Sequence, residues 1–175
     1  MSAAVDAATP ATAPRRRRRV LAALLVAVLA YALDQLTKWW VETTMQLGES
    51  VTVVPGLLRW HYILNPGAAF SIGEDHTWVF TVIQAVVAVV ALIAIARARS
   101  LPWALALGGL AGGVLGNLTD RLFRPPSFGQ GHVVDMISVP RFAVFNVADS
   151  FIVCSILVIA FLVMTGRRLD GTREA

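Results

Sequence analysis

Four apolar runs dominate the chain: Val20 to Val41, Thr77 to Ala96, Leu101 to Leu118 and Val147 to Thr165. A helix needs about 20 residues to cross a hydrocarbon core of about 30 Å, and each run is close to that length. Inside lipid the backbone must satisfy its own hydrogen bonds, so four such runs imply four helices packed as a bundle. The surface chemistry agrees, with only 15% of residues charged against roughly 25% in a soluble domain. The formal charge of +4 would suit a nucleic-acid partner if it formed a stripe, but five of the fifteen basic residues sit in one block, Arg15 to Arg19, just before the first run. That is the mark of a cytoplasmic flank, and the expected partner is the lipid bilayer, not nucleic acid. The lone cysteine, Cys154, excludes an internal disulfide framework and a zinc site built on several thiolates.

The segments between the runs set the organisation. Residues 1–19 read as a disordered basic tail, rich in Ala, Thr and Pro before the arginines. The arginine block, the apolar stretch and Ala30-Tyr31-Ala32 together mimic a cleavable signal sequence. The run continues through Leu36 to the paired Trp39 and Trp40, however, which suit an interfacial anchor on a retained span. Only residues 97–100 separate the second and third runs, giving a tight helical hairpin. Gly108, Gly112 and Gly116, with Gly109 and Gly113 beside them, supply small residues at the spacing that lets helices approach closely in lipid. Ten basic residues fall on the side of the termini and five on the other, so the positive-inside rule places both termini in the cytoplasm.

On the outer side, Ser50 to Val54 and Leu57 to Leu64, split by Pro55-Gly56, predict a β-hairpin within a cradle spanning residues 43–76. The second outer segment, residues 121–146, carries an extended stretch from His132 to Val139. The expected fold is therefore an all-α membrane protein: a four-transmembrane-helix bundle over residues 20–166, with a small periplasmic β-cradle and a short interfacial loop or helix. Its spans are residues 20–41, 77–96, 101–118 and 147–165, followed by a cytoplasmic tail over residues 167–175.

Depth singles out the polar residues. At 1.5 Å per residue, Asp34 lies about 21 Å from the cytoplasmic start of its helix, and Asn117 and Asp149 about 24 Å from theirs. Polar groups from three helices thus share one layer just beneath the outer interface. Charged groups at such depth mark functional sites unless they are paired. Asp34 and Lys38, at i and i+4, also suit a plain ion pair. Asn146 and Asp149 match a capping box at the start of the fourth helix. Asp120 sits where a helix C-terminus disfavours negative charge, with Arg121 beside it as compensation. Asp135 lies in an apolar stretch with no obvious local partner.

Two chemistries compete for this layer. His132-x-x-Asp135 and the other outer histidines would allow a metal-dependent hydrolase, although the spacing is irregular. Paired aspartates that cannot both ionise share a proton, so that one activates water while the other acts as acid. Asp135 and Asp149 fit the second pattern better. Ser150 has no base or elbow motif around it, and Cys154 reads as a small apolar packing residue. A small transporter is the non-enzyme alternative, but its conduction path would need polar groups through both leaflets.

Five motifs then carry a resemblance: Asp34-Gln-Leu-Thr-Lys38, Asn65-Pro-Gly67-Ala-Ala-Phe70, Gly113-Val-Leu-Gly-Asn117-Leu-Thr-Asp120-Arg121, Val133-Val-Asp135-Met-Ile137 and Phe145-Asn146-Val-Ala148-Asp149-Ser150. In this order, across residues 20–166, the chain resembles bacterial lipoprotein signal peptidase (signal peptidase II). The resemblance implies an aspartic endopeptidase of the inner membrane, with Asp135 and Asp149 as its dyad and neither metal nor cofactor. It implies a prolipoprotein substrate whose cysteine already carries diacylglycerol, cut on the N-terminal side of that cysteine, and inhibition by globomycin-type cyclic peptides. Asn65, Gly67, Asn117, Arg121, Asn146 and Ala148 would shape the pocket; Asp34, Lys38 and Asp120 would support it.

Overall fold

The computed structural model describes residues 13–67 and 76–173. Residues 1–12 of the expected tail, 68–75 of the cradle and 174–175 at the C-terminus lie outside the described residues. Four helices carry the chain: α1 (Ala13–Thr44), α2 (Thr77–Arg97), α3 (Leu101–Phe123) and α4 (Val147–Met164). All four are long and apolar enough to span a membrane, and α1, α2 and α4 turn rows of leucine, isoleucine and valine outward. Exposed side chains of that kind belong against acyl chains, as the sequence predicts.

Two helix boundaries differ from expectation. Arg15 to Arg19 lie within α1, not in a disordered stretch before it, because arginine is a strong helix former and continues the helix beyond the lipid. At about 1.5 Å per residue the 32-residue α1 is about 48 Å long, so both of its ends project past the hydrocarbon. Helix α3 likewise runs on to Phe123, five residues past the end of its apolar run. Asp120 and Arg121 therefore lie inside its last turns, and the helix stops just before Pro125-Pro126, which cannot extend it.

Helix α3 is the hub of the bundle, and its two glycine stripes face different partners. A methyl group on Gly108 or Gly112 would collide with the backbone of Ala23 or Ala27 in α1. On Gly109 or Gly113 it would meet Ser155 Oγ or the Ala148 carbonyl oxygen of α4, each at 2.6 Å. Helices α1 and α4 thus pack at backbone contact on α3, which brings their polar residues into one layer.

Above the layer lies one three-stranded antiparallel sheet, ordered β1 (Ser50–Val54), β2 (Leu58–Asn65) and β3 (Val133–Ser138). The predicted hairpin forms, with Val51 opposite Trp60. The stretch from His132 onward supplies the third strand, pairing Asn65 with Val133 and Ile63 with Asp135. Alternation along β3 turns Val134 and Met136 into a core with Val41 and Tyr62, and leaves Val133 and Asp135 on the opposite side. The sheet is fixed to the top of α1 by this core and by Trp40, whose ring packs edge-on to Trp60 at 5.5 Å.

Candidate active site

Lys38 organises the polar layer. Its ammonium donates to Asp34 Oδ2 at 2.8 Å, Asp120 Oδ2 at 2.7 Å and Asn117 Oδ1 at 2.8 Å. An ammonium has three N–H donors, so all three are used, and Lys38 and Asp34 have no exposed surface. The surface-type ion pair that the i,i+4 spacing allows is instead a buried network joining α1 to α3. Asp34 reaches further, accepting the Ala148 N–H through Oδ1 at 2.9 Å. It thereby satisfies one of the free backbone donors at the start of α4. Asp120 pairs with Lys38 and with Arg124 Nε at 2.7 Å, not with Arg121 as its neighbour in sequence suggests. Adjacent helical residues point in different directions, and i+4 puts Arg124 within reach.

Arg121 serves a different purpose. Its guanidinium donates to the carbonyl oxygens of Asn65, Pro66, Gly67 and Gly131 and lies 5.7 Å from the centre of the Phe80 ring. A planar donor fork of this kind suits several acceptors at once. It clasps the turn after β2 against the loop before β3.

The two candidate acids meet across a pair of amides. Asp149 is the third residue of a capping box: its Oδ2 accepts the Asn146 N–H at 3.1 Å, while Asn146 Oδ1 accepts the Asp149 N–H at 2.9 Å. The cap does not exhaust it, because Oδ1 also accepts from Asn117 Nδ2 at 2.8 Å. Asp135 accepts from Asn146 Nδ2 at 2.7 Å on one oxygen and from Asn65 Nδ2 at 2.8 Å on the other. Asn146 Nδ2 also donates to Asn117 Oδ1 at 3.1 Å. The run Asp135–Asn146–Asn117–Asp149 is therefore continuous, and each carboxylate is held by two N–H donors. Burial, then the charge of Asp149, pushes the Asp135 carboxyl up to about 7.

Both carboxyl groups line one cavity of about 560 Å³. Asn65, Gly67, Asn117 and Arg121 line it as well, as do Phe80, Phe142 and Phe145. Its walls thus combine a few convergent polar groups with broad apolar surface, the usual make-up of a ligand site. Of the other pocket candidates, Asn146 and Ala148 stand behind the carboxylates, and Asp34, Lys38 and Asp120 lie one layer deeper. His132 is not among the lining residues. Among the described residues no three His, Cys, Asp or Glu side chains gather as metal ligands do.

Three features lie beyond the sequence reading. Cys154 is exposed and lines the cavity instead of packing in the core, because α4 turns Ser150, Val153 and Cys154 toward an open space. Gln84 also lines it, and its Oε1 and the Nε of Arg121 are buried with no hydrogen-bond partner among the described residues. An amide in an otherwise apolar run was the available signal. Gln35 is the third, bridging Asp34 Oδ2 and the Gly116 carbonyl, each at 3.1 Å.

The comparisons with known proteins agree with one another. The family model for signal peptidase (SPase) II matches residues 26–165. The chain is 47% identical to the lipoprotein signal peptidase of Streptomyces griseus, covering 98% of this chain and 86% of the relative. It is 43% identical to that of Leifsonia xyli, covering 95% and 79%. Among solved structures it is similar to a bacterial membrane enzyme with a TM-score of 0.75 at 28% identity, covering 87% of this chain and 93% of the other. A second bacterial membrane enzyme structure gives a TM-score of 0.71 at 29% identity, covering 81% and 92%.

Proposed function

This chain belongs to the signal peptidase II family, and from that premise we propose that it cuts lipoprotein precursors with Asp135 and Asp149 as a catalytic dyad. It is an integral membrane peptidase, and the family's function is to remove signal peptides from prolipoproteins. The observation that carries the dyad is the shared cavity, on which two carboxyl groups are linked through the Asn146 and Asn117 amides.

The two acids divide the work. Asp135, whose carboxyl is pushed up to about 7, supplies the shared proton in its protonated form. Asp149, at the positive end of α4, is the ionised partner. Water held between them attacks the scissile carbonyl carbon; Asp149 takes a proton from the water, and the Asp135 proton goes to the carbonyl oxygen. When the tetrahedral intermediate collapses, Asp149 passes its proton to the leaving nitrogen and Asp135 recovers its own. The products are a signal peptide ending in a carboxylate and a new N-terminal amine. No metal is needed, so a chelator leaves the rate unchanged.

The substrate is a prolipoprotein whose cysteine carries diacylglycerol, cut on the N-terminal side of that cysteine. Phe80, Phe142 and Phe145 provide the apolar wall that such a group requires. Asn65, Gly67, Asn117, Arg121, Asn146 and Ala148 shape the pocket, while Asp34, Lys38 and Asp120 hold it in place. The peptidase domain occupies residues 20–166 of a protein in the bacterial inner membrane, with both termini cytoplasmic and the aspartates at the outer leaflet. Globomycin-type cyclic peptides compete for the same cavity.

The test is a gel-shift cleavage assay on one precursor, with and without prior diacylglyceryl transfer. Rapid cleavage of the lipidated form alone is the expected result. Equal rates on both forms would remove the lipid from the recognition argument.

A further inference from the structure

A second cavity lies at the end of the bundle opposite the aspartates. It measures about 1040 Å³, and Arg16, Arg19, Arg97, Arg99 and Arg168 line it, with Asp170 as the one acidic lining residue. These arginines come from three separate segments: the start of α1, the turn between α2 and α3, and the chain after α4. The last is folded back deliberately. The Arg99 N–H donates to the Leu169 carbonyl at 2.9 Å, and Trp103 Nε1 donates to the Arg167 carbonyl at 2.9 Å. Leu169 packs into the core between α1, α2 and α3.

A general excess of arginine on this side would satisfy the positive-inside rule without convergence. Gathering like charges around one opening costs energy unless an anion lies among them. Asp170 does not supply it in full: it is one carboxylate among five arginines, and it attracts Arg168 and Arg99. Arg16, Arg19 and Arg97 form no ion pair among the described residues, and Arg99 has only a longer-range attraction to Asp170. Arg16 instead donates to the Ala96 carbonyl at 3.1 Å, which caps the end of α2. A smaller space of about 350 Å³ adjoins the cleft through Arg16 and Ala96 and is floored by Val20 and Leu21. The charged opening thus shares a wall with a space that α1 lines with Arg16, Arg17, Val20 and Leu21 and α2 with Ala96.

We propose that this cleft binds an anionic glycerophospholipid, its phosphodiester headgroup among Arg16, Arg97 and Arg99 and an acyl chain along Val20 and Leu21. The adjoining space selects a lipid over a free phosphate, because only the lipid fills both spaces. Basic pockets between spans are recurrent sites for anionic headgroups. The site is separate from the dyad and does not depend on the peptidase chemistry.

The experiment is native mass spectrometry of the full chain released from detergent, titrated with phosphatidylglycerol or phosphatidylcholine of the same acyl chains. The wild-type protein retains the anionic lipid preferentially. Arg97→Gln combined with Arg99→Gln weakens it about 25-fold, at roughly fivefold per arginine, without changing phosphatidylcholine binding or peptidase activity. Inorganic phosphate at the same concentration does not displace the lipid. Equal retention of the two lipids by the wild-type protein would overturn the proposal whether or not the variant folds. So would an unchanged affinity in a folded variant, while displacement by phosphate would reduce the cleft to a free-anion site and refute the lipid assignment.

Discussion

The Lys38 ammonium donates to Asn117 Oδ1 at 2.8 Å, and with Asn146 Nδ2 on the same oxygen at 3.1 Å it decides which way round the Asn117 amide stands. An ammonium can only donate, so the amide oxygen must face Lys38 and the NH₂ must face Asp149, where it donates at 2.8 Å. A buried cation on α1 therefore orients a carboxylate on α4 through a side chain on α3.

Removing that cation is expected to be severe. Lys38→Met leaves Asp34 and Asp120 as buried carboxylates without their shared partner, a change that costs about 3–5 kcal/mol. Thermal unfolding in detergent should show the loss. The triple variant Asp34→Asn, Lys38→Met, Asp120→Asn should regain part of the stability but not the activity, since Asn117 Oδ1 loses its charged donor and keeps only Asn146 Nδ2.

The pH dependence has a definite sign. Asp135 titrates near 7 in the folded protein and near 3.9 in an unfolded chain, so the folded state binds a proton that the unfolded state has released. Its contribution to stability is complete below about pH 4 and is lost as pH rises through 7. The melting temperature should fall across that interval in the wild-type protein and less so in Asp135→Asn. The kcat/KM profile should show an alkaline limb with an apparent pKa near 7 as the acid form disappears.

Helix approach gives a third expectation. A methyl group at Gly112 would press on the backbone of Ala27 and on Ala30 Cβ, the latter at 2.7 Å. Gly112→Ala should cost about 1–3 kcal/mol in unfolding experiments. It should also reduce turnover, because moving α1 from α3 separates Lys38 from Asn117.

Gln84 tests the cavity itself. Its buried Oε1 has no partner among the described residues, so a substrate N–H is the natural donor. Gln84→Leu should raise KM about five- to tenfold with little change in kcat. Steady-state kinetics on a lipidated precursor separates this from a packing defect, which would lower both folding yield and kcat.

Much of this was legible in the sequence, for identifiable reasons. Span length and helical rise placed Asp34, Asn117 and Asp149 at one depth, because both are fixed by backbone geometry. The Asn146–Asp149 capping box depends only on local spacing and formed as read. What escaped was long-range or directional. Nothing local pairs β3 with β2, so Asp135 looked partnerless until Asn65 and Asn146 came to it. Asp120 chose Lys38 and Arg124 over its neighbour Arg121, a matter of helical direction that adjacency hides. Which glycine stripe faces α1 and which faces α4 depends on the whole bundle, as does the opening that exposes Cys154.

The central claim is that Asp135 and Asp149 act as one catalytic unit. Single-turnover cleavage of a diacylglyceryl-modified precursor by purified Asp135→Asn and Asp149→Asn, each first shown to unfold at a temperature near that of the wild-type protein, tests it most directly. Both variants should be folded and without detectable cleavage. Near-normal turnover by either would contradict the account.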